Sequence, residues 1–491
     1  MVPMQKEKGW RYGLIAVLAL TLSGCMVGPT YHAPDVSKDM AGGWDAASLK
    51  KGERLKGQAE PMTAWWRQFK DPVLSALVER LTDSSPALAE ARQRIVEARA
   101  VRGVADAARL PQVDLTGRYT HAEAGKKAVS FEGPPPGQEA DLFAAGVTAG
   151  WEVDLWGRVA RLVQAADADI DASYENYRGM MVSMAAELTL AYIDVRTLQA
   201  RLATIDRNIA LVERTLELAR TQFHAGTGTQ LSVTQTELLL SRTRARRPEL
   251  QRGLTEAQNR IKVLLGEPPE KKDLVPGAMP DVPGLIGIGI PADLLVRRPD
   301  IRGAERRYAA AVARIGAAEA EKYVQLGISG TFNLQSDTAG GVLDTSALIY
   351  TLGPGLRFPL FSGGRIRSNI EVRKSQAEQA RLQLQQRILS ALSEVENAAT
   401  GVVRSQEQVT ALKTSANAAD RNVALARSLY RAGLVDFYQV IDAEEKQVAT
   451  TDDLLVAEQS ALAQVVRLYR SLGGGWQVME SNKQQVERTV Q

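Results

Sequence analysis

Four groups of residues in this sequence are of types that could do chemistry. Cys25 is the only thiol, open to acylation or oxidation, and with no second cysteine it cannot form an intrachain disulfide. His32, His121 and His224 are too scattered for a metal-ligand set. Lys126 follows Gly125, but a phosphate-cradling loop needs an earlier glycine where Thr120 stands. Arg297, Arg298 and Asp300 flank Pro299. Proline favours a first helical turn and aspartate there suits the positive end of the helix dipole, so this group reads as structural. The expectation is no enzyme, no metal and no bound cofactor.

Cys25 stands apart because of what precedes it. Lys6, Lys8 and Arg11 make a basic start, Leu14 to Leu22 an apolar run, and Ser23-Gly24 a pair of small residues. That is the layout of a cleaved export signal, and the run is too short to span a bilayer. Leu22-Ser23-Gly24-Cys25 resembles the lipobox of bacterial lipoproteins. The resemblance implies a covalent diacylglycerol on the thiol, cleavage before Cys25 and an N-acyl chain on the freed amine. Two or more acyl chains anchor firmly where one does not. Met26 is not the aspartate associated with inner-membrane retention, which points to the outer membrane.

The formal charge is +3 for the whole chain. Removing the leader leaves about +1, so charge argues against nucleic acid as a partner. After Cys25 no apolar run is long enough for a membrane-spanning helix.

The elements that must carry these residues are written twice. Residues 218–233 match 425–440 at an offset of 207, and residues 84–103 match 297–316 at 213, aligning Pro86 with Pro299 and Gly103 with Gly316. Residues 150–158 match 355–365 with two extra residues in the second copy. These marks divide the chain into a signal over 1–24, a lipid-anchored N-terminal segment and equatorial region over 25–83, a first repeat over 84–266, a proline-rich connector over 267–296, a second repeat over 297–473 and a tail over 474–491.

Each copy holds a long helix. Residues 158–223 contain no proline and one glycine, and Ile170, Tyr177, Met184, Ala191 and Leu198 continue a 3.5-residue apolar repeat. Residues 365–431 repeat the pattern, with only Gly401 as a breaker. Such repeats supercoil around neighbours, and about 65 residues make a rod of roughly 100 Å. Before each long helix lie two strands. Val113, Leu115 and Tyr119 alternate with Asp114, Thr116 and Arg118; Val147, Trp151 and Val153 alternate with Thr148 and Glu152. The second copy sets Leu326, Ile328 and Phe332 against Ser329 and Thr331, then Leu352, Leu356, Phe358 and Leu360 against Thr351 and Arg357. Alternation suits a half-buried sheet or an outer-membrane strand with lipid on one side and water on the other. Polar loops over 121–141 and 335–346 separate the strands of each pair. In the membrane reading four strands cannot close a barrel, and an open edge is not tolerated in lipid. Several copies must pool their strands; three would supply 12.

Residues 28–34, 65–81, 294–305, 359–367 and 468–476, with the paired Ala-Gly turns at 225–226 and 432–433, resemble in order the TolC-like outer-membrane efflux proteins, in the OprM-like lipoprotein branch that serves resistance-nodulation-division pumps. The resemblance implies a mixed α+β membrane protein. Its homotrimer forms a 12-stranded β-barrel, four strands per chain, continued by a periplasmic α-helical coiled-coil barrel. It implies a passive exit duct for drugs or other toxic small molecules, working with a periplasmic adaptor (membrane fusion) protein and an inner-membrane transporter. In the family, turns like those at Gly226 and Gly433 meet the adaptor, and the tips near the second turn close the duct with a tyrosine and rings of acidic residues. Tyr430, Asp436 and Asp442 stand at or near such positions, while one acidic position of the family holds Gln439 here. Solvated helix-end charge is the other reading of Asp436 and Asp442. A lipid-anchored coiled-coil adhesin without a pore is the competing function, and it leaves the duplicated strand pairs unexplained.

Overall fold

The computed structural model describes residues 26–34, 55–56, 63–127, 134–284, 286–287, 294 and 297–479; the leader and Cys25 lie outside them. The described residues fall into two compact units, one within 1–34, 95–173 and 304–384, the other within 35–94, 174–303 and 385–491. The architecture is mixed and dominated by helix. In chain order it runs β1 (Leu55–Lys56), α1 (Pro72–Ser84), α2 (Pro86–Ala107), β2 (Gln112–Glu123), β3 (Glu139–Val153), α3 (Arg158–His224), α4 (Gln230–Leu264), β4 (Ile286–Gly287), α5 (Pro299–Ala320), β5 (Gln325–Ser336), β6 (Leu348–Arg357), α6 (Arg365–Arg431) and α7 (Phe437–Ser471). No described helix is long and apolar enough to cross a membrane.

In the first unit the four long strands form one antiparallel sheet in the order β2-β3-β5-β6. The register builds rows of one character. Leu115, Val147, Phe332 and Tyr350 stand side by side across the strands, and in the adjacent row stand Asp114, Thr148, Thr331 and Thr351. The hydroxyls of Thr331 and Thr351 lie 2.7 Å apart. Strand side chains alternate between faces, so one face is apolar and the other polar. The apolar face is open: Leu115 is 84% and Leu356 74% exposed.

Two boundaries differ from the sequence expectation. β2 continues to Glu123 and β3 begins at Glu139, so both ends of the loop expected over 121–141 are strand, with His121 opposite Asp141. Their side chains bond at 2.8 Å, which favours continued pairing. β6 ends at Arg357, so Phe358 and Leu360 lie beyond the strand. Pro359 has no N–H to extend the ladder.

Residues 26–31, next to Cys25, are clasped by this unit. Val27 donates its N–H to the Trp156 carbonyl at 3.2 Å. Arg161 donates to the carbonyls of Val27 and Gly28, and the Tyr31 hydroxyl to Glu305 at 2.7 Å. Gly28 has φ +89°, and a Cβ there would stand 2.3 Å from the Cα of Gly316. Only glycine permits both the dihedral and the approach.

In the second unit α3 and α6 run on unbroken, and α6 passes Gly401 without interruption. There a Cβ would stand 2.6 Å from the Gln464 side chain, so the glycine serves close packing against α7. Trp65 stacks on Tyr469 at 5.2 Å, with Trp66 and Phe69 buried beside them. The two-residue strands β1 and β4 pair in parallel.

Candidate functional site

Cys25 lies outside the described residues, and the other candidates all lie in the second unit, at two helical turns built alike. α3 ends at His224 and Gly226 follows with φ +73°; α6 ends at Arg431 and Gly433 follows with φ +71°. The Gly226 N–H bonds the Phe223 carbonyl at 3.0 Å, and the Gly433 N–H bonds the Tyr430 carbonyl at 2.9 Å. A Cβ at either glycine would meet nothing within 4 Å. The left-handed dihedral, not crowding, therefore requires glycine here. Thr229 and Asp436, 207 positions apart, are the N-caps of the following helices. The Thr229 hydroxyl accepts from the Ser232 N–H at 3.2 Å, whereas the Asp436 side chain makes no capping bond and is exposed.

The two hairpins share one apolar cluster, in which Val212, Leu216 and Leu240 of the first meet Val423, Phe437 and Ile441 of the second. Tyr430 packs on its edge, ring centroid 5.0 Å from Phe437. Its hydroxyl donates to Oε1 of Gln222 at 2.5 Å. Asp442 receives Lys446 Nζ at 2.7 Å, one helical turn away. The hydrogen bond and negative charge of Asp442 raise the Lys446 pKa above its ordinary value. The cluster thus packs the two hairpins together beneath the turns and holds Tyr430 at its edge, while Gly226 and Gly433 are outside it and Asp436 and Asp442 belong to the second hairpin only.

Three polar residues of this region were not among the candidates. Glu444 is buried and accepts from Arg427 Nη2 at 2.7 Å and from Thr215 Oγ1 at 3.3 Å. Its counterpart 207 positions earlier, Glu237, pairs with Arg220 at 2.7 Å, the counterpart of Arg427. The repeated Arg-Glu spacing was a sequence signal for the pair. Burial was not: the Glu444 side chain is 4% exposed and that of Glu237 44%.

Arg298 and Asp300 take the structural role expected of them. Arg298 is buried, grips both Asp300 oxygens at 3.0 and 2.8 Å, reaches Glu394 at 2.7 Å and donates to the Ser471 carbonyl at 2.7 Å. The Arg297 carbonyl accepts from the Trp476 indole at 3.3 Å. Among the described residues no group of three acidic, histidine or cysteine side chains could hold a metal ion.

A family model described as outer membrane efflux protein matches residues 77–267 and 290–474. Nodulation protein T of Rhizobium leguminosarum bv. trifolii is 29% identical over 465 residues, 93% of this chain and 96% of the relative. Outer membrane protein OprJ of Pseudomonas aeruginosa is 28% identical over 473 residues, 95% and 96% of the two chains. Among solved structures, the outer-membrane channel OprN superposes with a TM-score of 0.83 at 31% identity, covering 92% of this chain and all of that one.

Proposed function

We propose, since this chain belongs to the outer membrane efflux protein family and is a passive outer-membrane efflux duct rather than an enzyme, that three copies form its conducting unit. Each copy supplies four strands to a 12-stranded barrel, and the long helices continue the bore through the periplasm. The observation that carries this reading is the sheet itself. Among the described residues its β2 and β6 edges pair with no further strand, and its apolar face is open. Lipid tolerates neither an unpaired edge nor a barrel of four strands, and pooling strands removes both problems.

Within that assembly Cys25 carries diacylglycerol and an N-acyl chain. The turns at Gly226 and Gly433 receive a periplasmic adaptor, and an inner-membrane resistance-nodulation-division transporter supplies energy. Tyr430, Asp436 and Asp442 form the periplasmic gate through which drugs or other toxic small molecules pass. The family membership supports the pump role, and the shared cluster beneath the turns supports a single closing unit. The decisive experiment reconstitutes the purified protein in planar bilayers and weighs it by native mass spectrometry. Trimers with discrete conductance steps are expected; a stable monomer without conductance overturns the proposal.

A further inference from the structure

Well back from the two turns, α3, α4 and α7 part around a cavity of about 390 Å³, a size usual for small-molecule sites. All of its lining belongs to the second unit. Its apolar floor is Leu198, Ile205, Leu250 and Val448, members of one core cluster. Its walls are charged. Arg201 of α3 grips both oxygens of Asp452 of α7 at 2.7 and 2.8 Å, so that wall is already neutral. Arg252 reaches Glu256 at 3.5 Å.

The wall made by α4 is different. Arg246 and Glu249 stand about one turn apart and both line the cavity. Residues at that spacing are neighbours on a helix and readily pair. Here they do not: among the described residues neither makes a salt bridge. Other arginines of this stretch do, since Arg244 holds Glu213 at 2.6 Å and Arg247 holds Asp206 at 2.7 Å. Two opposite charges are thus left over an apolar floor.

The cavity sits at a break in α4. Pro248 lies between the two charges, inside the helix. It offers no N–H to the Arg244 carbonyl, and its ring crowds that carbonyl. A proline inside a helix is costly, and this one is exposed, so burial does not offset the cost. At the matching positions of α7, 207 residues on, Asp453 replaces Arg246, Leu455 replaces Pro248 and Val456 replaces Glu249. Both charges and the proline belong to the first copy alone, so the hairpin architecture shared by the two copies does not require them.

We propose that this cavity binds a small zwitterionic amphiphile, with its carboxylate on Arg246, its ammonium on Glu249 and its apolar body over Leu198, Ile205, Leu250 and Val448. An anion would cover Glu249 without pairing it, and a cation would do the same to Arg246. Covering a charge that stays unpaired is costly, and only a zwitterion answers both. The occupant touches α3 and α4 of the first hairpin and α7 of the second, so binding braces the hairpins against one another. The site is built by one chain and stands apart from the trimer and from the gate residues.

The test uses p-benzoyl-L-phenylalanine, a photoreactive aromatic zwitterion, on the full-length protein in detergent. Two relatives carry one charge each: the N-acetyl derivative keeps the carboxylate and the methyl ester keeps the ammonium. Irradiation and peptide mass spectrometry should place saturable zwitterion label within 198–208, 246–253 or 448–452. That label should stand about tenfold above either relative, as loss of one charge-assisted contact implies. Arg246→Ala and Glu249→Ala should each lower it about tenfold. Their melting temperatures should not move, because neither side chain pairs with another part of the fold. A Cβ at Gly253 would stand 3.5 Å from Leu198 Cδ2, so Gly253→Leu fills the cavity and should abolish the label. Arg247→Ala breaks only an exposed pair and should label as wild type. Hydrogen exchange at 246–253 and 448–452 should slow with the zwitterion in wild type and not in Gly253→Leu. Absence of saturable label, label elsewhere, or label indifferent to Arg246 and Glu249 overturns the site. Labelling by the N-acetyl compound that equals the zwitterion and depends on Arg246 alone overturns the zwitterion in favour of a simple carboxylate.

Discussion

The Tyr430 hydroxyl donates a hydrogen bond to Gln222 Oε1 at 2.5 Å, joining the second helical turn to the first. Its counterpart 207 positions earlier, Phe223, has no hydroxyl, so only the second copy can make this tie. Tyr430→Phe removes the tie and keeps the ring against Phe437, a loss of about 1 kcal/mol. Tyr430→Ala removes both. Resting single-channel conductance and vancomycin uptake should rise from wild type to Tyr430→Phe to Tyr430→Ala. Equal values in all three would remove Tyr430 from the gate.

Asp436 and Asp442 should not behave alike. Asp442→Ala frees the Lys446 ammonium it now holds, while Asp436→Ala frees no cation. Cation preference, read from reversal potentials in a salt gradient, should fall in both and fall further in Asp442→Ala. The double variant Asp442→Ala with Lys446→Ala should recover part of the difference.

The two repeated Arg–Glu pairs offer an internal control on burial. Glu444→Gln leaves Arg427 facing a buried neutral amide; breaking a fully buried pair costs about 3–5 kcal/mol, and the one-third exposure of Arg427 places this loss toward the lower end. Glu237→Gln acts on an exposed pair and should cost about 0–1 kcal/mol. Hydrogen exchange at the hairpins, or thermal melting in detergent, will rank them.

Asp300 makes stability pH-dependent. Burial pushes its carboxyl up, but hydrogen bonds and charge from Arg298 outweigh burial and hold it below the ordinary value of 3.8. The folded pKa is lower than the unfolded one, so the group stabilises the fold above that ordinary value. The contribution is lost as pH falls through the lowered pKa. Asp300→Asn should therefore lower the melting temperature at pH 7 and narrow its gap from wild type below about pH 4. A constant gap down to strong acid would count against the pairing.

Trp151 and Thr148 lie on opposite faces of β3, in the apolar and polar rows. Trp151→Asp puts a charge toward hydrocarbon and should abolish most trimer in outer-membrane fractions. Thr148→Asp faces water and should leave trimer yield within about twofold.

Period carries far in this protein. The 3.5-residue stripe marked α3 to within one residue, because no proline or polar break interrupts it before His224. Two-residue alternation separated Leu115 and Val147 from Asp114 and Thr148, as the sheet register does. Period said nothing of where pairing stops, so His121 was read as loop although it bonds Asp141 across two strands. The candidate site was legible where a turn requires glycine, at Gly226 and Gly433. It was opaque at Glu444, since a charge on a long helix looks the same whether a neighbouring helix covers it or water does.

The approach of Gly28 to Gly316 sets an order of events. These residues are 288 positions apart, and a contact so distant in the chain is costly to close early. Residues 26–31 cannot lock in place until α5 has been exported and packed. Until then residues 26–31 are a free tether, and whatever they carry at Cys25 can reach the bilayer ahead of the folded body. Locking is then among the last steps of maturation. A fragment ended before residue 316 should stay protease-sensitive at its N-terminus, however well its first repeat folds.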